Sequence, residues 1–291
     1  MSAGVPSDIE SLVAAELDEP VDPRIAAMGG AIAAEYGEAS RAVLFYGSCL
    51  RSAEIEGQML DFYLIVSDYR AAYGKRWLAA ANRLIPPNVF PFAHDGLAAK
   101  YAVLSEADFH ALCGPEASTV SVWARFAQPA RLVWCRDAAA RGAAIRAIAR
   151  APATLLALTP ERGEGDALDP WRRGFALTYG AELRAERGGR SDSIVDFDPT
   201  RYRRFAEALG AVPREAGLER KWRKLRRTGK LLTLARLAKA SLTFSGGIDY
   251  LVWKINRHAG TAIELRPWQR RFPILGAITL LPRLLARGVV R

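Results

Sequence analysis

The sequence predicts an α+β protein: a mixed sheet with flanking helices, a smaller and mostly helical second domain, and a basic amphipathic C-terminal tail. Three observations carry this. Short apolar, β-branched and aromatic runs alternate with helical patterns across residues 1–158. The stretch 159–170 is rich in Pro, Gly and acids and reads as a hinge. The charge is split, because residues 213–291 hold 18 Lys+Arg against 4 Asp+Glu within a chain whose overall net charge is +10.

Taken in order, residues 9–17 and 24–36 read as helices, with Asp22-Pro23 marking the break between them. The run AVLFY at 42–46 is a buried strand that delivers the chain into a Gly47-Ser48 turn. A second strand, FYLIV at 62–66, follows Asp61. Residues 71–84 read as a helix that stops at Pro86-Pro87. Further strands are expected at 99–104 and 130–134, with helices at 105–113 and 117–127 between them. Residues 137–158 read as a helix that closes the first domain. Helices at 171–187 and 199–210 fill a second domain at 159–212, and 213–291 is the tail.

Composition limits the function classes. Half of the 291 residues are apolar and a quarter are charged, the profile of a folded chain long enough to bury a core unaided by disulfides or metal. The longest charge-free stretches, as at 25–34 and 272–282, are about ten residues, and a membrane span needs roughly 18–20. Three scattered cysteines, Cys49, Cys113 and Cys135, suit neither a disulfide framework nor a zinc site. Six acidic residues precede the first basic one, Arg24, which fits neither a secretory signal nor a mitochondrial presequence. The expected location is cytoplasmic. No Walker loop occurs and no G-x-G-x-x-G follows a strand, which argues against a P-loop or Rossmann cofactor site. His94, His110 and His258 are isolated and read as structural or exposed.

The most informative stretch is Phe45-Tyr46-Gly47-Ser48, then twelve residues, then Asp61-Phe62-Tyr63-Leu64. A strand ending in Gly-Ser beside a strand that carries an acid suits phosphate handling. Gly47 lets the backbone approach a triphosphate, and Ser48 offers an N–H and a hydroxyl. Asp61 can share Mg²⁺ with phosphate oxygens. A Gly-Ser turn and an Asp at a strand start also serve plain turns, so the pair alone leaves nucleotidyl transfer and a structural role both open.

This arrangement resembles the signature of the DNA-polymerase-beta-like nucleotidyltransferases, except that Tyr63 stands where they usually have a second acid. The mitochondrial-type phosphatidate cytidylyltransferases also keep only the first acid, and the chain is similar to them at several points in order. YGSCL at 46–50 resembles their Tyr-Gly-Ser-Gly turn, and MLDFYLIVSD at 59–68 their Met-hydrophobic-Asp-Phe strand. KYAVLS at 100–105 resembles a Lys-Tyr-Gly-Val strand. WARFAQPARLV at 123–133 keeps Arg125 and Pro129 and has Gln128 in place of a Lys. TYGAELRAE at 178–186 resembles a Tyr-x-Gly-Asp-x-Arg motif, with Glu182 for Asp and Arg184 kept. SDSIVDFDPTRYRRF at 191–205 is similar to the segment that follows, and the resemblance spans about residues 40–260.

The resemblance implies transfer of CMP from CTP to phosphatidate, with Mg²⁺ as cofactor. It implies Tyr46, Gly47 and Ser48 at the triphosphate, and Lys100 and Arg125 as cationic phosphate contacts. Asp61 and Glu182 are then the metal-binding carboxylates, and Arg184 lies near the lipid phosphate. Asp61, Glu182 and Lys100 carry catalysis. Other expectations are a nucleotidyltransferase with a different acceptor, and a catalytically silent membrane-binding protein.

The tail points to an anionic membrane surface. LERKWRKLRRTGK at 218–230 holds seven basic residues, with Leu218, Trp222 and Leu225 on one helical face suited to a lipid interface. At 272–291, Ile274, Ile278, Leu281 and Leu285 share a face, followed by Arg283, Arg287 and Arg291, with Pro282 as an interruption. Peripheral association with the inner face of the membrane is expected. No recognised nucleic-acid-binding motif occurs, so nucleic acid is not the expected partner. The apolar faces have a second use, packing against the acidic body, which leaves the arginines exposed.

Overall fold

Alternation of apolar side chains along five strands gives the sheet two buried faces, and both are covered by helices. The computed structural model describes residues 8–52, 54–161, 166–181, 190–243 and 266–267. Helices α1 (Asp8–Leu17) and α2 (Pro23–Ala34) lead in, with Asp22 capping α2 by accepting from the Arg24 N–H. Strand β1 (Ser40–Tyr46), the short helix α3 (Ser48–Ser52) and strand β2 (Met59–Val66) follow. Next come α4 (Tyr69–Ala72), α5 (Arg76–Leu84), β3 (Asn88–His94), β4 (Leu97–Ser105), α6 (Glu106–Cys113), α7 (Trp123–Phe126) and β5 (Ala130–Cys135). The described helices after the sheet are α8 (Ala138–Ala157), α9 (Asp169–Tyr179), α10 (Arg190–Phe197), α11 (Pro199–Leu209) and α12 (Leu218–Thr243).

The strand order is β3-β4-β2-β1-β5. β2 and β4 pair in parallel and the other neighbours are antiparallel, so the sheet is mixed and the protein α+β. Because side chains alternate along a strand, Val43, Phe45, Phe62, Leu64, Tyr101 and Val103 face one core with Ile25, Met28 and Ile32 of α2. Leu44, Tyr63, Ile65, Ala102 and Leu104 face the other. That second core runs without a break through α1, α6 and α8 to Trp171, Phe175, Tyr202 and Trp222. Helices α9 to α11, inside the stretch 159–212, therefore share their apolar side chains with the sheet.

A buried ion pair locks this junction. The Arg201 guanidinium of α11 pairs with Glu16 of α1, donates to the Ala127 carbonyl at 3.0 Å and lies 4.1 Å from the Phe205 ring centre. Glu16 also accepts from the Ala130 N–H at 3.3 Å.

Several expectations need correction. The helix read at 71–84 is two helices, α4 and α5, with a break at 73–75. Strand β3 was hidden by Pro91, which removes a ladder donor and is tolerated because β3 is an edge strand. Asn82 fixes this edge by donating to the Val103 carbonyl at 2.9 Å and accepting from the Asn88 N–H. Residues 117–127 form helix only at Trp123–Phe126. The helix expected at 171–187 begins at Asp169 and ends at Tyr179, and residues 182–189 lie outside the described residues. Helix α10 was not read from the sequence.

The tail segment departs most. Trp222 and Leu225, assigned to a lipid interface, are buried in the protein core. Trp222 donates from Nε1 to the Leu158 carbonyl at 2.7 Å and meets Trp123 edge to face. Further along α12, a Cβ on Gly229 would collide with the Ala181 carbonyl oxygen, so the close passage of the helix there depends on glycine. The segment 272–291 lies outside the described residues.

Candidate active site

Strand register builds the site. Tyr46 at the end of β1 pairs with Asp61 of β2, and Asp61 pairs with Lys100 of β4. With a period of two, Tyr46 shares the face of Leu44, Asp61 that of Tyr63, and Lys100 that of Ala102. The three polar side chains thus stand in a row across adjacent strands. Lys100 Nζ lies 2.7 Å from Asp61 Oδ1.

Gly47 covers this row. Its φ is +102°, a conformation that favours glycine, and a Cβ there would stand 3.4 Å from Asp61 Oδ2. Ser48 is exposed at the head of α3. Behind it Cys49 is buried, and burial followed by the nearby Asp61 carboxylate pushes its thiol pKa up.

Tyr46, Lys100 and Arg125 line one cavity of about 160 Å³, together with Arg236 and Lys239 of α12. Arg125 hydrogen-bonds Tyr46 and donates to the Ser121 carbonyl. Burial first, then Asp61, raises the Tyr46 phenol well above its ordinary range, so Tyr46 stays neutral. Lys239 donates to the carbonyls of Ile85 and Pro87, and Arg236 donates to Pro86 O at 2.8 Å. Burial, reinforced by Arg236, lowers Lys239 to about 8.

Tyr63 packs its ring on Tyr46, Phe109 and Phe126. Gln128 accepts from Arg51 at 3.1 Å and donates to Ala124 O at 2.8 Å, joining α3 to α7. Among the described residues there is no cluster of three His, Cys, Asp or Glu able to hold a metal. Glu182 and Arg184 lie outside the described residues.

Of the residues singled out in the sequence, the structure brings Tyr46, Gly47, Asp61, Lys100 and Arg125 together. Arg236 and Lys239 were missed. Their signal was present: two cations three residues apart, on one helical face, inside the otherwise uncharged run 231–242. No known protein family matches the chain. No curated protein matches it either.

Proposed function

We propose that the protein is a nucleotidyltransferase that moves CMP from CTP to phosphatidate, giving CDP-diacylglycerol and pyrophosphate. The observation that carries this reading is the in-register row Tyr46, Asp61, Lys100, with Gly47 against Asp61 and with Tyr46, Lys100 and Arg125 lining one cavity. The motif resemblance supplies the choice of cytidine nucleotide and lipid acceptor.

The acceptor's phosphate is already anionic at neutral pH, so the reaction needs little general-base help. An oxygen of that phosphate forms a bond to the α-phosphorus, and the bond to the β-phosphate oxygen breaks as pyrophosphate leaves. Lys100 and Arg125 hold phosphate oxygens and bring the reactants into line. Neutral Tyr46 donates a hydrogen bond, and the bare backbone at Gly47 leaves room for a phosphate beside Asp61. Asp61 would hold Mg²⁺ together with the substrate's phosphate oxygens, since Mg²⁺ is commonly held by one or two carboxylates plus substrate phosphates, and the ion would supply charge neutralisation at the transferred group. The Lys100 ammonium now rests on Asp61 and must share or yield that carboxylate.

Membrane association, in this reading, rests on charge. Arg220, Arg223, Lys224, Arg226, Arg227 and Lys230 are exposed on α12, while Trp222 and Leu225 are buried. No helix among the described residues is long and apolar enough to cross a membrane. Such a cationic stripe suits an anionic leaflet.

The test is incubation with labelled CTP, Mg²⁺ and phosphatidate vesicles, followed by lipid extraction. Label in the lipid phase supports the proposal, and label on another acceptor redirects it to a different nucleotidyltransferase. Tyr63 favours one further reading, a silent binding protein, because an aromatic ring replaces a metal-binding acid. Binding of CTP without turnover of any nucleotide is its signature. Vesicle co-sedimentation checks the charge argument: binding should need anionic lipid and fall with salt.

A further inference from the structure

Helix α5 turns Asn82 inward and Trp77 and Leu84 outward. It buries Ala79 and Asn82, and Asn82 holds the sheet edge through Val103 and Asn88. Its outer side carries Trp77, Ala80 and Leu84, at i, i+3 and i+7. These lie within about 60° of one another around the helix axis, opposite the buried pair. Trp77 is 50% exposed and Leu84 77%. Among the described residues four large apolar side chains are exposed, and these are two of them. A surface helix normally turns polar side chains to water, and an apolar outer stripe rimmed by polar residues marks an interaction surface.

Charge identifies the partner. Lys75, Arg76 and Arg83 are exposed beside the stripe, and Arg76 and Arg83 share one flank of it. None of the three is paired with an acidic side chain among the described residues. From Tyr69 to His94 the chain has four Lys and Arg and no Asp or Glu. Helix α12 rests on the loop 85–87 through Arg236 and Lys239, and its exposed stripe of the same sign ends beside the exposed Leu231. The chain's own residues 244–291 are rich in apolar side chains, but they hold 8 Lys and Arg against 2 Asp and Glu, so like charges oppose their docking on α5. A partner with negative charge over an apolar layer fits both features of the face. A leaflet of anionic lipid has that construction, and Trp settles at its headgroup level.

We propose that the outer face of α5 is a docking surface for an anionic lipid leaflet, which Trp77 and Leu84 enter while Lys75, Arg76 and Arg83 meet lipid phosphates. This rests on the membrane-association part of the proposed function, and adds apolar insertion to the charge of α12. Pro87, three residues beyond Leu84, borders the cavity that Lys100 and Arg125 line, and three residues span at most about 11 Å. Docking through α5 therefore brings the leaflet beside the cavity, where a lipid acceptor's phosphate is needed.

The probe is phosphatidylcholine vesicles with and without phosphatidylglycerol, an anionic lipid other than the proposed acceptor, so that binding reads the surface and not the site. The full chain should sediment with the anionic vesicles. Trp77→Ala combined with Leu84→Ala should weaken that binding about tenfold or more, the scale of losing two apolar insertions. Trp77→Phe should keep most of it. Hydrogen exchange on the unmodified chain requires no variant to fold, and anionic vesicles should slow exchange across 75–87. A double variant that sediments as the wild type does, or unchanged exchange across 75–87, overturns the proposal. Protection of that segment by RNA but not by vesicles overturns it too, and assigns the face to nucleic acid.

Failure of the surface and failure of the activity are separable. Vesicle binding that is lost in Arg223→Gln with Arg227→Gln but is indifferent to Trp77 and Leu84 removes the α5 surface and leaves the charge contact of α12 standing. Binding that depends on Trp77 and Leu84, in a protein that turns over no nucleotide, keeps the surface and removes the activity.

Discussion

Two carboxylate–cation pairs in this molecule look alike on paper and differ in everything around them. Glu16 and Arg201 join α1 to α11 with side chains 9% and 6% exposed. Their remaining hydrogen-bonding groups meet the Ala127 carbonyl and the Ala130 N–H, and an aromatic ring covers the guanidinium. Asp61 and Lys100 join neighbouring strands with side chains 23% and 26% exposed, and Lys100 opens on a cavity. The first pair is closed and holds helices to the sheet. The second is less buried and stands beside a cavity that Lys100 lines. The difference teaches that the surroundings of a charged pair, more than the pair itself, separate a clamp from a site.

Breaking the closed pair should have the largest effect. Arg201→Ala leaves Glu16 buried without its partner and should cost about 3–5 kcal/mol of stability, read as a shift in the denaturant midpoint. Replacing both residues by apolar ones of similar size, as in Glu16→Leu with Arg201→Met, should recover most of that loss. A small loss in the single variant would show that water reaches the pair.

The open pair should respond in the opposite sense. Asp61→Asn should lower turnover at least about 10²–10³-fold, the scale of losing a main electrostatic stabiliser. Its melting temperature should stay close to that of the wild type. Near-normal turnover by a folded Asp61→Asn protein would place the chemistry elsewhere. A large drop in stability would make this pair a second clamp.

Gly47→Ala sharpens the same contrast with an intermediate effect. The left-handed backbone at Gly47 should cost about 1–3 kcal/mol with a Cβ present. The added methyl group also sits against the Asp61 carboxylate, so turnover should fall more than stability alone predicts. An alanine variant with wild-type kinetics would show that the space over Asp61 is not used.

The smallest expected effect is a pH dependence. Lys239 is held near 8 in the folded protein, below the 10.5 of an ordinary lysine. The folded state therefore sheds this proton first as pH rises, the unfolded state binds more protons in that window, and stability rises. Below about 8 the amine is charged in both states and its burial penalty is constant. Relative to Lys239→Met, the wild type should thus gain stability from pH 8 to 10. A difference that is flat with pH would mean that Lys239 is solvated in the folded protein.

Much of the sheet was legible. The runs 42–46, 62–66, 99–104 and 130–134 became β1, β2, β4 and β5 because continuous apolar stretches bounded by turns have few other ways to be buried on both faces. β3 was not legible, since Pro91 makes sense only once the strand is known to lie at an edge. Local apolar spacing over-read 117–127 as helix, where Val120 and Val122 are buried from irregular chain and only Trp123–Phe126 is helical. In the site, the Gly47–Asp61 spacing could be read directly, but the pairing of Asp61 with Lys100 could not. That contact needs β4 to insert in parallel beside β2, across an intervening hairpin with β3.

By itself the sequence determined four of the five strands, the left-handed-capable turn, the acid that faces it, and the presence of a strongly basic C-terminal segment. These are local properties, set by side-chain periodicity, backbone freedom at one glycine and charge counting. Tertiary structure alone decided where α12 goes. An amphipathic helix carries the same periodicity whether its apolar side meets lipid or protein, and only the hole formed by Leu158 and Trp123 selects Trp222 for the core. Once that face is docked, helix geometry carries Arg236 and Lys239 onto the loop 85–87 and into the cavity beside Lys100. Convergence of charges from three distant segments is a property of packing, which no window of sequence contains.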